Sequence, residues 1–189
     1  LRGGTLGELL SVSASIRWWR SAEYFAEPGR GTVARDGGGV LLTQAIHTLD
    51  LMLDLAGPPQ RVSALVRTSP LRAIDTEDIA CATVQYRNGA VGVIDATTVA
   101  YPGYPERVEI AGRNGSAVLA AERLELNLQG APARVIDGGS AGGGGADPMA
   151  FSPDAHRRLI ADFLDAVEAR RPPLASARSA LAIHALIDA

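Results

Sequence analysis

The chain has 189 residues, 18 basic against 21 acidic side chains, and a formal net charge of −3. All 18 basic residues are arginines, so Schiff-base, Walker-lysine and lysine acid chemistry are excluded within this chain. The slightly acidic balance leaves no electrostatic footprint for nucleic acid or an anionic membrane.

Cys81 is the only cysteine, which rules out an intrachain disulfide or a cysteine metal cluster and suits a reducing cytoplasm. A hydrophobic fraction of 47% with 21% charged residues fits one globular domain with a full core. The chain starts at Leu1 with no signal-like leader, and a piece of a longer protein is the expectation.

In chain order, the segment from Gly7 to Trp19 alternates, with Leu10, Val12, Ala14 and Ile16 on one side, and predicts a strand. Ser21 to Gly39 reads as an irregular, glycine-rich stretch. A helix is predicted over Val40–Ala56, stopped by Gly57-Pro58-Pro59. His47, Asp50 and Asp54 interrupt its apolar run, so it does not span a membrane.

Strands are predicted over Arg61–Thr68, Asp78–Tyr86 and Gly89–Thr98, with Asn88-Gly89 as a hairpin turn. Further strands follow over Arg107–Ala111, Ser116–Leu119 and Arg123–Leu128, where Leu124, Leu126 and Leu128 share a face. Gly138–Gly145 reads as a low-complexity mobile loop. Ser152-Pro153 predicts a helix start, with an apolar face of Leu159, Ile160, Phe163, Leu164 and Val167. The segment from Ser176 to Ala189 is helix-prone. Strands upon strands with helices at each end predict an α+β fold, a mostly antiparallel open sheet with helices on one face.

The helix Val40–Ala56 carries the densest chemistry. At about 100° per residue, Thr43, His47, Asp50 and Asp54 fall within roughly 60° of one another, opposite Ala45, Ile46, Leu49, Met52 and Leu53. A histidine on such a seam is suited to general acid or base work. Thr43 is one turn away to bind a hydroxyl, and Asp50 is spaced to orient the imidazole.

Gly37, Gly38 and Gly39 precede the helix. They permit close approach of a ligand or another backbone at its positive end. The competing reading is a solvated helix face behind a flexible loop. Trp18, Trp19, Arg20 and Tyr24 form an aromatic–basic cluster suited to a sugar or an anion, with core packing expected for at least one tryptophan. His156-Arg157-Arg158 reads as a solvated first turn, and Cys81 as a small core residue. His47 and Asp50 offer two metal ligands but no third, so no metal is expected.

The run from Gly37-Gly38-Gly39 through Thr43 and His47 to Asp50 resembles the GGG…H..D helix signature of the glucose–fructose oxidoreductase / inositol dehydrogenase / MocA (Gfo/Idh/MocA) family. The resemblance continues in order through Asp78-Ile79-Ala80 with Tyr86-Arg87-Asn88-Gly89-Ala90, then Tyr101 to Gly112 with Gly115-Ser116. It ends in His156-Arg157-Arg158 with Asp162-Phe163, Ala166 and Arg171-Pro172-Pro173.

The resemblance implies the C-terminal, dihydrodipicolinate-reductase-like domain of an oxidoreductase acting on a sugar, inositol or related polyol. It places the cofactor, NAD or NADP, mainly in an N-terminal Rossmann domain absent from residues 1–189, together with the family's E-K-P lysine. It implies His47 as the catalytic histidine, with Thr43, Arg20, Tyr24, Asp50 and His156 toward the substrate and Gly38 and Gly39 toward the cofactor. This chain alone is expected to be inactive. Thr43 stands where many members carry Asp and others Asn, which keeps open an alternative: a non-catalytic ligand-binding or assembly module. A homodimer or higher homo-oligomer through the open sheet face is expected.

Overall fold

The computed structural model describes residues 4–138 and 153–189. Eight strands build one sheet: β1 (Leu9–Arg17), β2 (Pro59–Arg67), β3 (Ile79–Tyr86), β4 (Val91–Thr97), β5 (Arg107–Gly112), β6 (Gly115–Ala120), β7 (Arg123–Leu128) and β8 (Arg134–Asp137). Their spatial order is β2-β3-β4-β1-β5-β6-β7-β8. Every neighbouring pair is antiparallel except β1 with β4, which run parallel. The predicted open, mostly antiparallel α+β architecture is therefore what the chain adopts.

Register divides the sheet into two faces, since side chains alternate across a strand. One row runs Val62, Val84, Gly92, Val12, Ile110, Ala117, Leu126 and points inward. The neighbouring row runs Ser63, Thr83, Val93, Ser13, Glu109, Val118, Glu125 on the opposite face. Against the inner face lies helix α3 (Ile46–Ala56), which buries Leu49, Met52, Leu53 and Ala56. Gly92 is small because it must be: a Cβ there would stand 2.9 Å from both Met52 Cε and Tyr86 Cε2. Helix α5 (Ala177–Ile187) adds Ile183 and Leu186 to the same core and packs on α3. Tyr86 is wholly buried, its hydroxyl has no partner among the described residues, and desolvation pushes its pKa up to about 12.

Several expectations are corrected. Leu10 is half-exposed, because the β1–β5 register shifts between Leu9 and Ser11 and turns it off the inner face. Cys81 is exposed, not core: it lies in the outward row with Leu65 and Asp95. The stretch from Ser21 to Gly39 contains two short helices, α1 (Ala22–Phe25) and α2 (Val33–Asp36). The helix predicted from Val40 opens as a π-helical turn, Leu41–Ala45, before α3 begins. β8 went unpredicted, its four residues being exposed and without a clear alternation.

Asn88-Gly89 turns as predicted, with Gly89 at φ +89° and the Ala90 N–H donating to the Asn88 side chain. Residues 139–145 of the predicted loop and Ser152 lie outside the described residues. The later helix is α4 (Asp154–Glu168). No described helix is long and apolar enough to cross a membrane.

Candidate active site

The start of the α3 segment is held by one residue from a distant connection. Glu77, just before β3, accepts the Gly39 N–H at 3.0 Å and the Leu41 N–H at 3.1 Å through its two carboxylate oxygens. Its carbonyl takes the Val40 N–H at 2.8 Å. Three successive backbone donors at the positive end of the helix are thereby satisfied by one chain neighbour.

The glycine at 39 follows from this: a Cβ would lie 1.9 Å from the Glu77 carbonyl oxygen. Of the two approaches the glycines allow, the one present at Gly39 is another backbone. Gly38 packs over Leu42, and both glycines border a narrow cleft of about 10 Å³, room for about one water molecule. Tyr24, Thr43, Gln44 and Thr98 also line it.

The polar seam lies where the helical plot puts it. Thr43, His47, Asp50 and Asp54 are all exposed, while Gln44, Ala45, Thr48 and Leu49 turn inward. The π-turn admits one extra residue and still leaves Thr43 and His47 on the outer side. Thr43 Oγ lies 2.7 Å from the Gly39 carbonyl and 2.6 Å from Gln44 Oε1. Among the described residues no hydrogen bond joins Asp50 to His47, so the imidazole is not oriented by the carboxylate one turn on.

Gln44 joins the seam to the aromatic cluster, its Nε2 donating to the Tyr24 hydroxyl at 3.3 Å. Arg20 hydrogen-bonds Tyr24 and lies over its ring at 5.2 Å, with Trp18 on another side at 4.7 Å. Burial pulls the Arg20 guanidinium below its ordinary pKa. Arg30 covers Tyr24 from 4.2 Å. Thr43, Gln44, Tyr24 and Arg20 thus form one connected cluster beside His47. His156 is not joined to it: it sits exposed on the first turn of α4, with Arg157 and Arg158 also exposed.

Beneath this cluster lies a buried ion pair that no spacing in the sequence singles out. Arg72 Nη1 and Asp78 Oδ2 are 2.9 Å apart, with 4% and 1% of their side chains exposed. Asp78 also accepts from the Ser69 N–H at 2.7 Å and the Ser69 hydroxyl at 2.6 Å. Arg72 donates onward to the Thr98 carbonyl at 2.8 Å and to the Arg20 carbonyl, and lies over the Trp19 and Phe25 rings.

Arg72 therefore ties the segments that follow β1 and β4 together, just ahead of the short helix α1 that carries Tyr24. Asp78 was legible only as part of the motif. Glu77 had a further signal, since three glycine-side N–H groups with no local capping residue require an acceptor from elsewhere. Among the described residues no group of three His, Cys, Asp or Glu could hold a metal.

The open, mostly antiparallel sheet backed by α3 and α5 is of the α+β class expected from the sequence. The comparisons agree: residues 1–118 match the GFO/IDH/MocA C-terminal domain, and the chain belongs to that family. It is 34% identical over 96 residues to the uncharacterised oxidoreductase YrbE of Bacillus subtilis (strain 168), covering 48% of this chain and 28% of that protein. It is 30% identical over 142 residues to the uncharacterised oxidoreductase sll0816 of Synechocystis sp. (strain ATCC 27184 / PCC 6803 / Kazusa), covering 67% of this chain and 37% of that one.

Among solved structures it resembles the WlbA dehydrogenase of Bordetella pertussis in complex with NADH and UDP-GlcNAcA. That match has a TM-score of 0.79 and 26% identity over 99% of this chain and 52% of the other. A levoglucosan dehydrogenase in complex with NADH shares the fold, with a TM-score of 0.77 and 24% identity over 99% of this chain and 56% of the other. The chain thus spans about half the length of these structures.

Proposed function

We propose that this chain is the substrate-side half of a nicotinamide-dependent dehydrogenase acting on a sugar, inositol or related polyol. The observation that carries the reading is the exposed seam of Thr43, His47 and Asp50 beside the Tyr24–Gln44–Arg20 cluster, in a chain of this family. A helix that buries one face and lines up histidine, hydroxyl and carboxylates on the other suits a polyhydroxylated ligand.

In this reading, the preceding Rossmann domain holds NAD or NADP, and the bound nicotinamide supplies hydride acceptance from a carbinol carbon. His47 takes up the hydroxyl proton as the C–H bond breaks. Thr43 binds a neighbouring hydroxyl but, lacking a carboxylate, stores no proton. Arg20 and Tyr24 form the wall of the substrate site. Gly38 and Gly39 are the positions toward the cofactor, with Gly38 the one left for close backbone approach, since Glu77 occupies that place at Gly39 and takes its N–H.

The test is turnover of the full-length protein on a sugar and polyol panel with NAD and with NADP. His47→Ala is expected to lower kcat about 100-fold or more. Undiminished turnover on a substrate the unaltered enzyme uses overturns the role. The open sheet face, where Leu10, Val91 and Val93 are half-exposed, is the proposed homodimer interface. Light scattering that finds only monomer at high concentration counts against it.

A further inference from the structure

A buried ion pair is weak evidence for stability, because taking both charges out of water offsets most of their attraction. Arg72 and Asp78 form such a pair, with 4% and 1% of their side chains exposed, in the connection between β2 and β3. Beyond neutralising Asp78, the Arg72 guanidinium holds other groups. Its planar fork presents several N–H donors in fixed directions. Nη1 serves Asp78, and Nη2 donates to the Thr98 and Arg20 carbonyls. The Thr98 carbonyl also accepts the Arg20 N–H at 3.0 Å. Both backbone polar groups of Arg20 are therefore held, one by Thr98 and one by Arg72. The same guanidinium lies over the Phe25 ring at 4.9 Å and the Trp19 ring at 5.4 Å. Phe25 in turn meets Tyr24 edge to face, with ring centroids 5.0 Å apart. Arg72 thus reaches Tyr24 by two routes: through the backbone of Arg20, whose side chain lies over the Tyr24 ring, and through Phe25.

We infer that Arg72 is a positioning residue for the substrate wall: it sets the placement of Arg20 and Tyr24, and through them the affinity for substrate, while proton transfer at His47 does not depend on it. The inference rests on the reading proposed above. With 4% of its side chain exposed, Arg72 is too buried to touch a ligand itself. Among the described residues none of its hydrogen bonds or ring contacts involves Thr43 or His47. The start of the α3 segment is held separately, by Glu77. The wall and the seam thus have different anchors within one connection. A lysine at 72 would not do the same work, since an ammonium is a point donor on a flexible stem and has no plane to lay against two rings. An anchor whose contacts run to the wall alone acts on binding in the ground state and the transition state alike, which moves KM and leaves kcat.

The test is steady-state kinetics of the full-length protein on the substrate that the sugar and polyol panel identifies. Two variants remove the fork without stranding a buried charge. Arg72→Met combined with Asp78→Asn neutralises both partners at once and keeps an acceptor for the Ser69 N–H. Arg72→Lys keeps a cation beside Asp78 and loses the fork. In each, KM is expected to rise about 10-fold or more while kcat stays within about 3-fold. Ser69→Ala is the matched control. It takes one donor from Asp78 and leaves the Arg20 carbonyl alone, so stability in chemical denaturation falls while KM stays within about 2-fold. KM unchanged in the folded double variant or in folded Arg72→Lys overturns the inference. So does a fall in kcat at constant KM, or a KM rise in Ser69→Ala as large as that in Arg72→Lys. Loss of the fold in both Arg72 variants overturns it too, since the pair then holds the domain and not the wall. Those outcomes leave the dehydrogenase reading standing. An unaltered protein that turns over nothing on the panel with either cofactor sinks that reading, and the inference with it.

Discussion

The start of the α3 segment and helix α4 are opposite cases of how this chain satisfies its own groups. At the first, three backbone donors, a buried carboxylate and a buried guanidinium all find partners within the chain, from segments about 40 residues apart in sequence for Gly39 and Glu77. At the second, a well-formed amphipathic helix leaves five apolar side chains about half exposed, while Ala166 is buried and Asp162 holds the connection that follows the helix. The difference separates groups that this chain satisfies by itself from an apolar face that it leaves exposed.

The comparison breaks most readily at Arg72. Removing the guanidinium by Arg72→Ala strands Asp78, whose side chain is 1% exposed, as an unpaired buried charge. The expected loss is about 3–5 kcal/mol in chemical denaturation. A loss under about 1 kcal/mol would mean that Ser69 alone satisfies the carboxylate and that the pair does not hold the site's foundation. Gly39→Ala comes next. The added Cβ meets the Glu77 backbone at 1.9 Å, so either Glu77 or the first turn must move. About 1–3 kcal/mol is expected to be lost in the same measurement. Gly57, where an added Cβ would meet nothing within 4 Å but φ is +85°, makes the useful control, since Gly57→Ala adds strain without collision.

Which parts were legible follows from how far the determining contacts reach. Alternation placed β1, and Asn88-Gly89 placed its hairpin, because both signals are local. The seam from Thr43 to Asp54 was legible because one helix carries it and burial of the opposite face enforces its direction. Glu77 and Arg72 were not legible as partners, since their contacts join residues from different segments and no periodicity reports them. Cys81 and Leu10 were misplaced for one shared reason. Apolar character in a strand indicates burial only when the register is known, and the shift after Leu9 is invisible in sequence. The apolar arc of α4 was read correctly as a face, but a sequence does not say whether a face is covered.

The smallest expected effect sharpens the α4 side. Hydrogen bonds from the Leu174 N–H and then from Arg171 hold the Asp162 carboxyl below its ordinary value of 3.8. A carboxyl with a folded-state pKa below its unfolded value binds its proton more weakly when folded. Its contribution is fully present above the ordinary value and is lost as pH falls through the lowered one. The clamp is therefore expected to hold unchanged from about pH 7 to about pH 5, then to weaken below pH 3.8. Exchange of the Leu174 amide, corrected for the intrinsic pH dependence, is the readout. Asp162→Asn should remove the pH dependence and leave the amide weakly protected at every pH. Unchanged protection down to about pH 2.5, about a unit below the ordinary carboxylate value, would show that the connection is held by contacts other than this carboxylate, and α4 would then be more firmly built into its own domain than the two hydrogen bonds imply.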